Sequence, residues 1–370
     1  MSSAFDTIDR IELMETMNGI IDSDEKRMCH LLLSNTKIRI QYGHHEQEEV
    51  ATNVGSPQGD AISGTFFNVA FENSLRSLRE EMARTDPTVE QSDATPAKPP
   101  SELIYADDSD FVTEDMNRDE KLNQIVTDVL KRHSLKVNDD KTEHTVIKRG
   151  QKHDEEWRQV TKLGCKLGDS EEVANRKQKA TGAMNNLKQI WYSRKHIHIK
   201  RKLKLYNALV KSQLMYNIGT LGLTKAELDS LDAFHRRQLR TVWNNHRLTN
   251  ARLYQISDAQ PISQEIKAAR WRILGHNLRL PINAPSQQAM HYYMSAPQKA
   301  KAYQGRQRST IATTIHKDII SAATRDAQIP ITQFKTQTDL NIWRSVAADR
   351  ALWRRISLSV CDFAQVDNQI

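Results

Sequence analysis

The spacing of apolar residues predicts both strands and helices in the first part of this chain of 370 residues. Residues 37–42 alternate polar and apolar side chains, which predicts a half-buried strand, and residues 49–54 could return as its hairpin partner. Residues 7–32 favour helix, and Ser63 could cap another. The apolar face of that later helix consists of Phe67, Phe71, Leu75, Leu78 and Met82.

A second amphipathic helix lies between two further predicted strand regions. Its apolar face consists of Leu122, Ile125, Val126, Val129 and Leu130. Before it, residues 102–112 place acidic side chains between two apolar runs, which is typical of a tight hairpin, and residues 145–147 after it favour a strand. Residues 84–101 are polar, with three prolines near their end, and predict a flexible loop. This alternation predicts an α+β fold.

From about residue 175 the spacing is almost wholly helical. One helical face is shared by Leu203, Tyr206, Val210 and Leu214. Thr224 and Glu227 have the spacing of a capping box, which predicts the start of a helix. Later helices are expected over residues 262–280, 308–324 and 338–357.

Composition excludes several classes of protein. Hydrophobic residues make up 38% of the chain, mean hydropathy is −0.66, and no apolar run approaches the roughly 20 residues of a membrane span. The N-terminus lacks the basic and apolar regions of a signal peptide. Three widely spaced cysteines are odd in number, so a disulfide framework is not expected. An intracellular setting, nuclear or cytoplasmic, fits these features.

Charge is unevenly distributed along the chain. The net charge is +7, from 53 basic and 46 acidic residues, but residues 176–211 contain no acid. Trp191 and Tyr192 lie within this basic run, and basic side chains interleaved with aromatic rings are typical of nucleic-acid binding. The alternative is a solvated helix face with the tryptophan turned into the core.

Asp107 and Asp108 form the most informative pair of residues. Adjacent carboxylates repel, so they need a cation to stay ionised together. Oxygen ligands suit Mg²⁺, which usually takes one or two carboxylates together with substrate phosphates. A pair of such ions can clamp an in-line phosphoryl displacement. By itself, however, an Asp-Asp pair is also common in solvated turns.

The order of several short motifs resembles the reverse transcriptase of non-LTR (LINE-type) retrotransposons. Residues 3–10 are similar to the end of polymerase motif A, and residues 55–60 with 66–68 to motif B. Tyr105, Ala106, Asp107 and Asp108 are similar to motif C. The remaining matches are residues 135–143 for motif D, 162–165 for motif E, 202–217 for the thumb, and 270–276 and 349–355 for C-terminal segments.

This resemblance implies a domain organisation. Residues 1–170 would be a partial palm, with a ferredoxin-like sheet backed by helices and the loop at 84–101. Residues 171–250 would be a helical thumb, and residues 251–370 a helical C-terminal region of retroelement type. The partners implied are an RNA template, a DNA primer and dNTPs, and the cofactor is Mg²⁺ or Mn²⁺ at a two-ion site.

The resemblance also implies roles in catalysis. Asp107 and Asp108 would bind metal, and Lys141 of motif D would neutralise or protonate pyrophosphate. Leu163, Gly164 and Cys165 would shape the primer grip, although these three could simply form a strand and a turn.

Other residues would contact substrates. Phe5 would be the steric gate against a ribose 2′-hydroxyl, although a buried strand phenylalanine fits the sequence equally well. Gln58, Gly59 and Tyr105 would contact nucleotide and template. The candidates for nucleic-acid binding in the thumb are Lys200, Arg201, Lys202 and Lys204.

One position departs from the family pattern. The family's motif A metal ligand lies five residues before the phenylalanine, which places it just before Met1, and the fingers region would also lie upstream. We therefore expect an N-terminally truncated copy that is inactive by itself. Asp6 should face away from Phe5 on a strand, and Asp9 should start the next helix. The alternatives are a non-catalytic nucleic-acid-binding remnant and an unstable product without function.

Overall fold

The computed structural model describes residues 5–42, 46–56, 60–85, 101–113, 116–147, 156–295 and 309–361. Contacts within the chain divide it into two units, Met1–His144 and Thr145–Ile370. The division falls before motif E, whereas the sequence suggested a boundary near residue 170. No helix in the described ranges is long and apolar enough to cross a membrane.

The first unit contains four helices and two hairpins among its described residues. In chain order these are α1 (Arg10–Met17), α2 (Ser23–Leu33), β1 (Thr36–Tyr42), β2 (Glu46–Thr52), α3 (Ser63–Thr85), β3 (Glu102–Tyr105), β4 (Asp108–Phe111) and α4 (Met116–Arg132), with a 3₁₀ turn at Asp139–Lys141. Helix α1 begins where the sequence predicted, because the Asp9 side chain accepts hydrogen bonds from the amides of Ile11 and Glu12.

The strands of the described residues form separate two-stranded antiparallel hairpins, β1–β2, β3–β4 and a third hairpin in the second unit. The expected ferredoxin-like sheet is therefore not found in these ranges. Phe5 and Asp6 lie in a turn, so the predicted motif A strand is also wrong there. The Phe5 carbonyl accepts a hydrogen bond from the Ser56 amide at 2.8 Å, outside any strand ladder of the described residues.

The β1–β2 hairpin is present, but it is not half-buried. Ile38, Ile40 and Val50 are all exposed, although Ile38 and Val50 are direct cross-strand partners. The alternating pattern therefore predicted the strand correctly and its burial wrongly. The strand predicted at residues 145–147 is not formed, and Val146 and Ile147 are exposed.

The core of the first unit lies between α1, α3 and α4. It is built from Ile8, Leu13, Met17, Cys29, Leu33, Phe66, Phe67, Phe71, Leu75, Leu78, Val126, Val129, Leu130 and Leu135. The predicted helical faces of α3 and α4 supply much of this set, because residues three and four apart share one side of a helix.

The second unit is helical apart from one short hairpin, β5 (Thr161–Lys162) with β6 (Cys165–Lys166). Its helices are α5 (Asp169–Leu187), α6 (Ile199–Leu205), α7 (Ser212–Met215), α8 (Lys225–Trp243), α9 (Asn250–Ser257), α10 (Ile262–Arg279), α11 (Pro285–Ser295), α12 (Ile311–Ala323), α13 (Gln337–Ala348) and α14 (Arg350–Val360). π-Helical turns at Lys188–Tyr192 and Tyr206–Lys211 extend α5 and join α6 to α7.

Two apolar clusters stabilise the second unit. The first includes Tyr206, Val210 and Leu214. The apolar helical face that the sequence predicted for these residues is therefore buried in the core. The second surrounds Trp271, Trp343 and Trp353, whose ring centroids lie 5.3–6.0 Å apart.

The capping box of Thr224 and Glu227 is formed at the start of α8. The single helix expected over residues 338–357 is instead two helices. The helix is interrupted at Asp349. The side chain of Asp349 accepts hydrogen bonds from the amides of Ala351 and Leu352 and so caps the N-terminus of α14.

Candidate functional site

The motif C residues lie at the tip of the β3–β4 hairpin. Tyr105 pairs with Asp108, so Ala106 and Asp107 form a two-residue turn. Ala106 has a φ of +52°, which is the conformation that a II′-type hairpin turn requires at its first central residue. Alanine carries some strain there, and strained backbone is often found at functional sites.

The two carboxylates differ in their surroundings. Asp107 is half-buried in the turn, whereas Asp108 is exposed and faces the same side as its cross-strand partner Tyr105, which is 68% exposed. Across the described ranges, no three His, Cys, Asp or Glu side chains converge closely enough to hold a metal ion. Asp6 is exposed and does not complete such a group with the motif C pair.

The hairpin is attached to the core of the first unit by its inward face. Ile104 and Phe111 pack against the apolar cluster between the helices. The Glu102 carboxylate accepts from the Arg79 guanidinium of α3 at 2.6 and 2.9 Å. These contacts anchor the strands of the hairpin on the core, while the tip carries Asp107 half-buried and Asp108 exposed.

Phe5 packs on the helix that follows motif B. Its ring stacks on Phe67 with centroids 4.8 Å apart, and Phe67 stacks in turn on Phe71 at 5.5 Å. Phe5 is half-buried, in a turn rather than on a strand. It packs against the core cluster of the first unit without being fully buried.

The start of motif B is bonded directly to the motif A segment. The amide of Gly55 donates to the Ile8 carbonyl at 2.9 Å. Gly55 has a φ of +77°, and a Cβ at this position would lie 2.7 Å from the Asp6 carbonyl oxygen. A glycine at this position therefore allows the backbone of Asp6 to approach closely.

Arg10 connects the same two segments, a role that the sequence motifs did not predict. Its guanidinium donates to the carbonyls of Gly55, Leu33 and Thr52 at 2.6–2.7 Å and to the hydroxyl of Thr36 at 2.8 Å. Burial lowers the pKa of Arg10. No sequence pattern indicates this role, because its partners are mostly main-chain carbonyls distant along the chain.

Of three other predicted residues, Lys141 alone lies within the described part of the chain. Gln58 and Gly59 lie outside the described residues. Lys141 is exposed at the end of the 3₁₀ turn, and its side chain makes no hydrogen bond or ion pair to Asp107 or Asp108 among the described contacts.

In the second unit, the motif E residues form a tight hairpin turn. Lys162 pairs with Cys165, so Leu163 and Gly164 are its two central residues, with φ of +48° and +73°. Positive φ at both positions defines a I′ turn, whose usual residues are Asn and Gly. Cys165 is buried, which raises the pKa of its thiol, while Leu163 is exposed. The strand-and-turn expectation is therefore correct for these residues.

A buried ion pair supports this turn from α5. The Arg176 guanidinium contacts the Glu172 carboxylate and also donates to the Gly164 carbonyl. Burial alone would raise the pKa of Glu172, but hydrogen bonds from the Lys166 amide, Asn175 and Arg176 outweigh it and lower that pKa. Arg176 therefore has a structural role and does not belong to an exposed basic run.

The remaining basic residues divide between surface and core. Lys200, Arg201 and Lys204 are the outward-facing cations of α6. Lys202 is only 8% exposed, and its Nζ donates to the Tyr192 carbonyl at 2.8 Å, so its assignment to nucleic-acid binding is wrong. Helical periodicity explains the difference, because Lys202 lies on the inward side of α6.

The two aromatic residues of the basic run also differ. Trp191 is exposed, whereas Tyr192 is buried, and burial raises the pKa of Tyr192 to about 12. Of these two rings, the tryptophan is the one accessible for stacking on a base.

Comparison with known proteins finds one family model that matches the first part of the chain. The family described as Reverse transcriptase (RNA-dependent DNA polymerase) matches residues 1–179. This segment includes the residues whose sequence resembles the end of motif A and motifs B to E. No curated protein matches the chain. The family match supports the interpretation of residues 1–179 as reverse transcriptase sequence.

Proposed function

We propose that this chain contains palm and thumb segments of the RNA-directed DNA polymerase of a non-LTR retrotransposon. The observation that carries the proposal is the Asp107–Asp108 pair at the tip of a hairpin within the matched segment. Residues 1–170 would supply the palm, residues 171–250 the thumb and residues 251–370 a C-terminal region of the retroelement.

The proposed reaction is nucleotidyl transfer. The primer 3′-hydroxyl attacks the α-phosphate of a dNTP, a phosphodiester bond forms, and pyrophosphate leaves. Asp107 and Asp108 would hold Mg²⁺ or Mn²⁺, which neutralises phosphate charge when bound. An adjacent pair of carboxylates suits either ion, because hard cations prefer oxygen ligands.

Other residues of the first unit would position the substrates. Phe5 would contact the sugar of the incoming nucleotide, and its stacking on Phe67 supports a fixed ring position. Tyr105, exposed beside Asp108, would contact the nucleotide or template, as would Gln58 and Gly59 of motif B. Lys141 would approach pyrophosphate.

We expect residues 1–370 by themselves not to synthesise DNA. Carboxylates from two segments normally converge on the metal ions of polymerases, and the described residues offer the motif C pair without a third ligand. A second candidate function is therefore nucleic-acid binding without catalysis. The exposed cations Lys200, Arg201 and Lys204 favour it, since they can neutralise phosphates regardless of catalysis.

Filter binding of a DNA primer on an RNA template, measured against salt concentration, tests both functions. Changing Lys200, Arg201 and Lys204 to Ala should reduce the log–log salt slope by roughly 0.7–0.9 for each phosphate that is no longer neutralised. A matched control removes three exposed cations elsewhere, at Lys317, Lys335 and Arg354. Wild-type binding that is independent of salt concentration would contradict both functions. Equal salt slopes for the two triple variants would contradict the assignment of phosphate binding to the cations of α6.

A further inference from the structure

A groove of about 680 Å³ lies between α6, with the turn that follows it, and the end of α9. Lys200, Lys204 and Asn207 line it from the first segment, and Ser257 and Asp258 from the second. Sites for small ligands have volumes of roughly 300–1,000 Å³. This α6–α9 groove is therefore large enough to hold a single nucleotide.

Two cations of the groove have no partner within the protein. Lys200 and Lys204 are both exposed, and their spacing of four places them on the same side of α6. Neither ammonium group forms an ion pair or a hydrogen bond with a described residue. Both charges are therefore free to neutralise a phosphate that enters the groove.

An acidic side chain lines the same groove without neutralising these cations. Asp258 is exposed, and its carboxylate has no hydrogen-bond or ion-pair partner among the described residues. Its φ of +47° lies in the left-handed region, which aspartate tolerates at the end of a helix. An ionised carboxylate only accepts hydrogen bonds. The groove therefore suits a ligand that carries both an anion and N–H donors.

The remaining lining residues suit a planar ring with polar edges. Leu203 and Ile256 are half-buried and supply apolar surface. Ser257 is only 7% exposed, and its hydroxyl accepts from the Trp243 indole at 2.8 Å but donates to no described residue. The side-chain amide of Asn207 is also without a partner in the described part of the chain. Donors for a polar ligand are thus present beside the apolar surface.

Guanine matches this set of groups better than the other bases. Its Watson–Crick edge presents two adjacent donors, N1–H and the N2 amino group, which the two oxygens of one carboxylate can accept. Uracil instead presents a single N–H between two carbonyl acceptors. In a duplex the guanine donors are bonded to cytosine, so the base must be unpaired. An acidic peptide would be attracted by the lysines but repelled by Asp258.

We propose that the α6–α9 groove binds an unpaired guanine nucleotide of a single-stranded RNA. Asp258 accepts from N1–H and the N2 amino group, Asn207 donates to O6, and Lys200 and Lys204 bind the flanking phosphates. This inference rests on the proposed binding of nucleic acid by α6, and it adds selectivity for one base.

The full chain is tested by fluorescence anisotropy with labelled uridine octamers that carry one guanosine, adenosine or cytidine at the centre. The guanosine octamer should bind roughly fivefold to a hundredfold more tightly than the others, the range for one bidentate contact to a base. Inosine in place of guanosine lacks the N2 amino group and should lose most of this preference.

Asp258→Asn separates base recognition from charge, and asparagine keeps the left-handed backbone. The preference for guanosine should disappear, while affinity for the all-uridine octamer should stay equal or rise because a negative charge is removed. Asp229→Asn is the matched control, since it removes an exposed carboxylate on α8, and it should retain the preference. Changing Lys200 and Lys204 to Ala should weaken binding of every octamer by a similar factor.

The inference is overturned if wild type binds the guanosine and adenosine octamers alike, with salt-dependent binding preserved; the proposed binding through α6 would then still hold. It is also overturned if Asp258→Asn raises affinity for all octamers by the same factor, because Asp258 would then act through charge alone. Competition by octaglutamate as strong as that by RNA would instead assign the groove to an acidic protein segment. Absence of any RNA binding by wild type would overturn the proposed binding function as well.

Discussion

The Nε of Arg10 donates a hydrogen bond to the main-chain carbonyl of Gly55 at 2.7 Å, which ties the segment after motif A to the start of motif B. The rest of the guanidinium bonds to the end of α2 and to the base of the β1–β2 hairpin. A planar group with five donors can serve such divergent acceptors at once, and lysine cannot. Arg10 therefore organises the loop that precedes the predicted nucleotide-contacting residues.

Arg10→Ala should destabilise the first unit by about 2–4 kcal/mol. The variant leaves several part-buried carbonyls without their donor, and each unsatisfied group costs roughly 1–3 kcal/mol before water compensates. Arg76→Ala is the control, since Arg76 forms an exposed ion pair with Glu72 and should change stability by less than about 0.5 kcal/mol. Chemical unfolding followed by circular dichroism measures both, and equal decreases in stability would contradict the role of Arg10.

Gly55→Ala should lower stability by roughly 1–3 kcal/mol. The new Cβ would lie 2.7–2.8 Å from backbone atoms of Asp6, and φ of +77° disfavours any side chain. Gly64→Ala is the opposite case, because nothing lies within 4 Å of its Cβ position and it is in α3. That change should stabilise the protein by up to about 1 kcal/mol. If Gly55→Ala and Gly64→Ala shift the melting temperature in the same direction, this account of Gly55 is contradicted.

Lys200 and Lys202 lie on the same short helix but should respond differently to replacement. Lys202→Ala removes a buried hydrogen bond to the Tyr192 carbonyl and should cost about 1–2 kcal/mol of stability without changing the salt slope of binding. Lys200→Ala should leave stability unchanged and lower the slope. A reduced slope in Lys202→Ala, with stability intact, would restore Lys202 to the binding surface.

His235 should make the second unit less stable in acid. It is buried against Tyr206, whose hydroxyl lies 2.7 Å from Nδ1, and burial, with Lys211 and Arg236 nearby, lowers the pKa of His235 from 6.5 to about 4. The unfolded chain therefore binds the proton first. The contribution to stability is complete above pH 6.5 and decreases as pH falls toward 4, by roughly 3 kcal/mol.

The measurement for His235 is urea unfolding between pH 4 and pH 7.5 for wild type and His235→Asn. The variant should be less stable at neutral pH and should lose less stability than wild type on acidification. If the free energy of unfolding depends on pH in the same way in both proteins, His235 does not take up a proton when the protein unfolds.

Sequence patterns predicted most helices and the hairpins, because periodicity and turn residues are local. The faces of α3 and α4, the Asp9 cap and the β3–β4 turn follow from residues a few positions apart. The exposure of Ile38 and the burial of Lys202 could not be predicted this way, since both depend on which elements pack together. The contacts of Arg10 with Gly55 and of Arg176 with Gly164 were missed for the same reason, because these carbonyls lie more than ten residues away along the chain.

The turns that carry the motif C and motif E residues were predicted from local sequence. Asp107 and Asp108 are found at a hairpin tip, and Leu163 and Gly164 in a turn, as their sequence context implied. The strand expected at Phe5 is absent there, because its carbonyl bonds to Ser56 in place of a neighbouring strand. Only the structure could place Tyr216 beside Leu163, since 53 residues separate them.

Primer extension tests the central claim most directly, with an RNA template, a DNA primer, dNTPs and Mg²⁺ or Mn²⁺. Two proteins are compared, residues 1–370 and a longer chimera in which the fingers and motif A aspartate of an active reverse transcriptase are fused before Met1. We predict extension by the longer chain only, and its complete abolition in Asp107→Ala with folding preserved. A longer chain that folds and binds primer–template but does not extend it, or that extends it normally with Asp107→Ala, would contradict the assignment of this hairpin as a polymerase site.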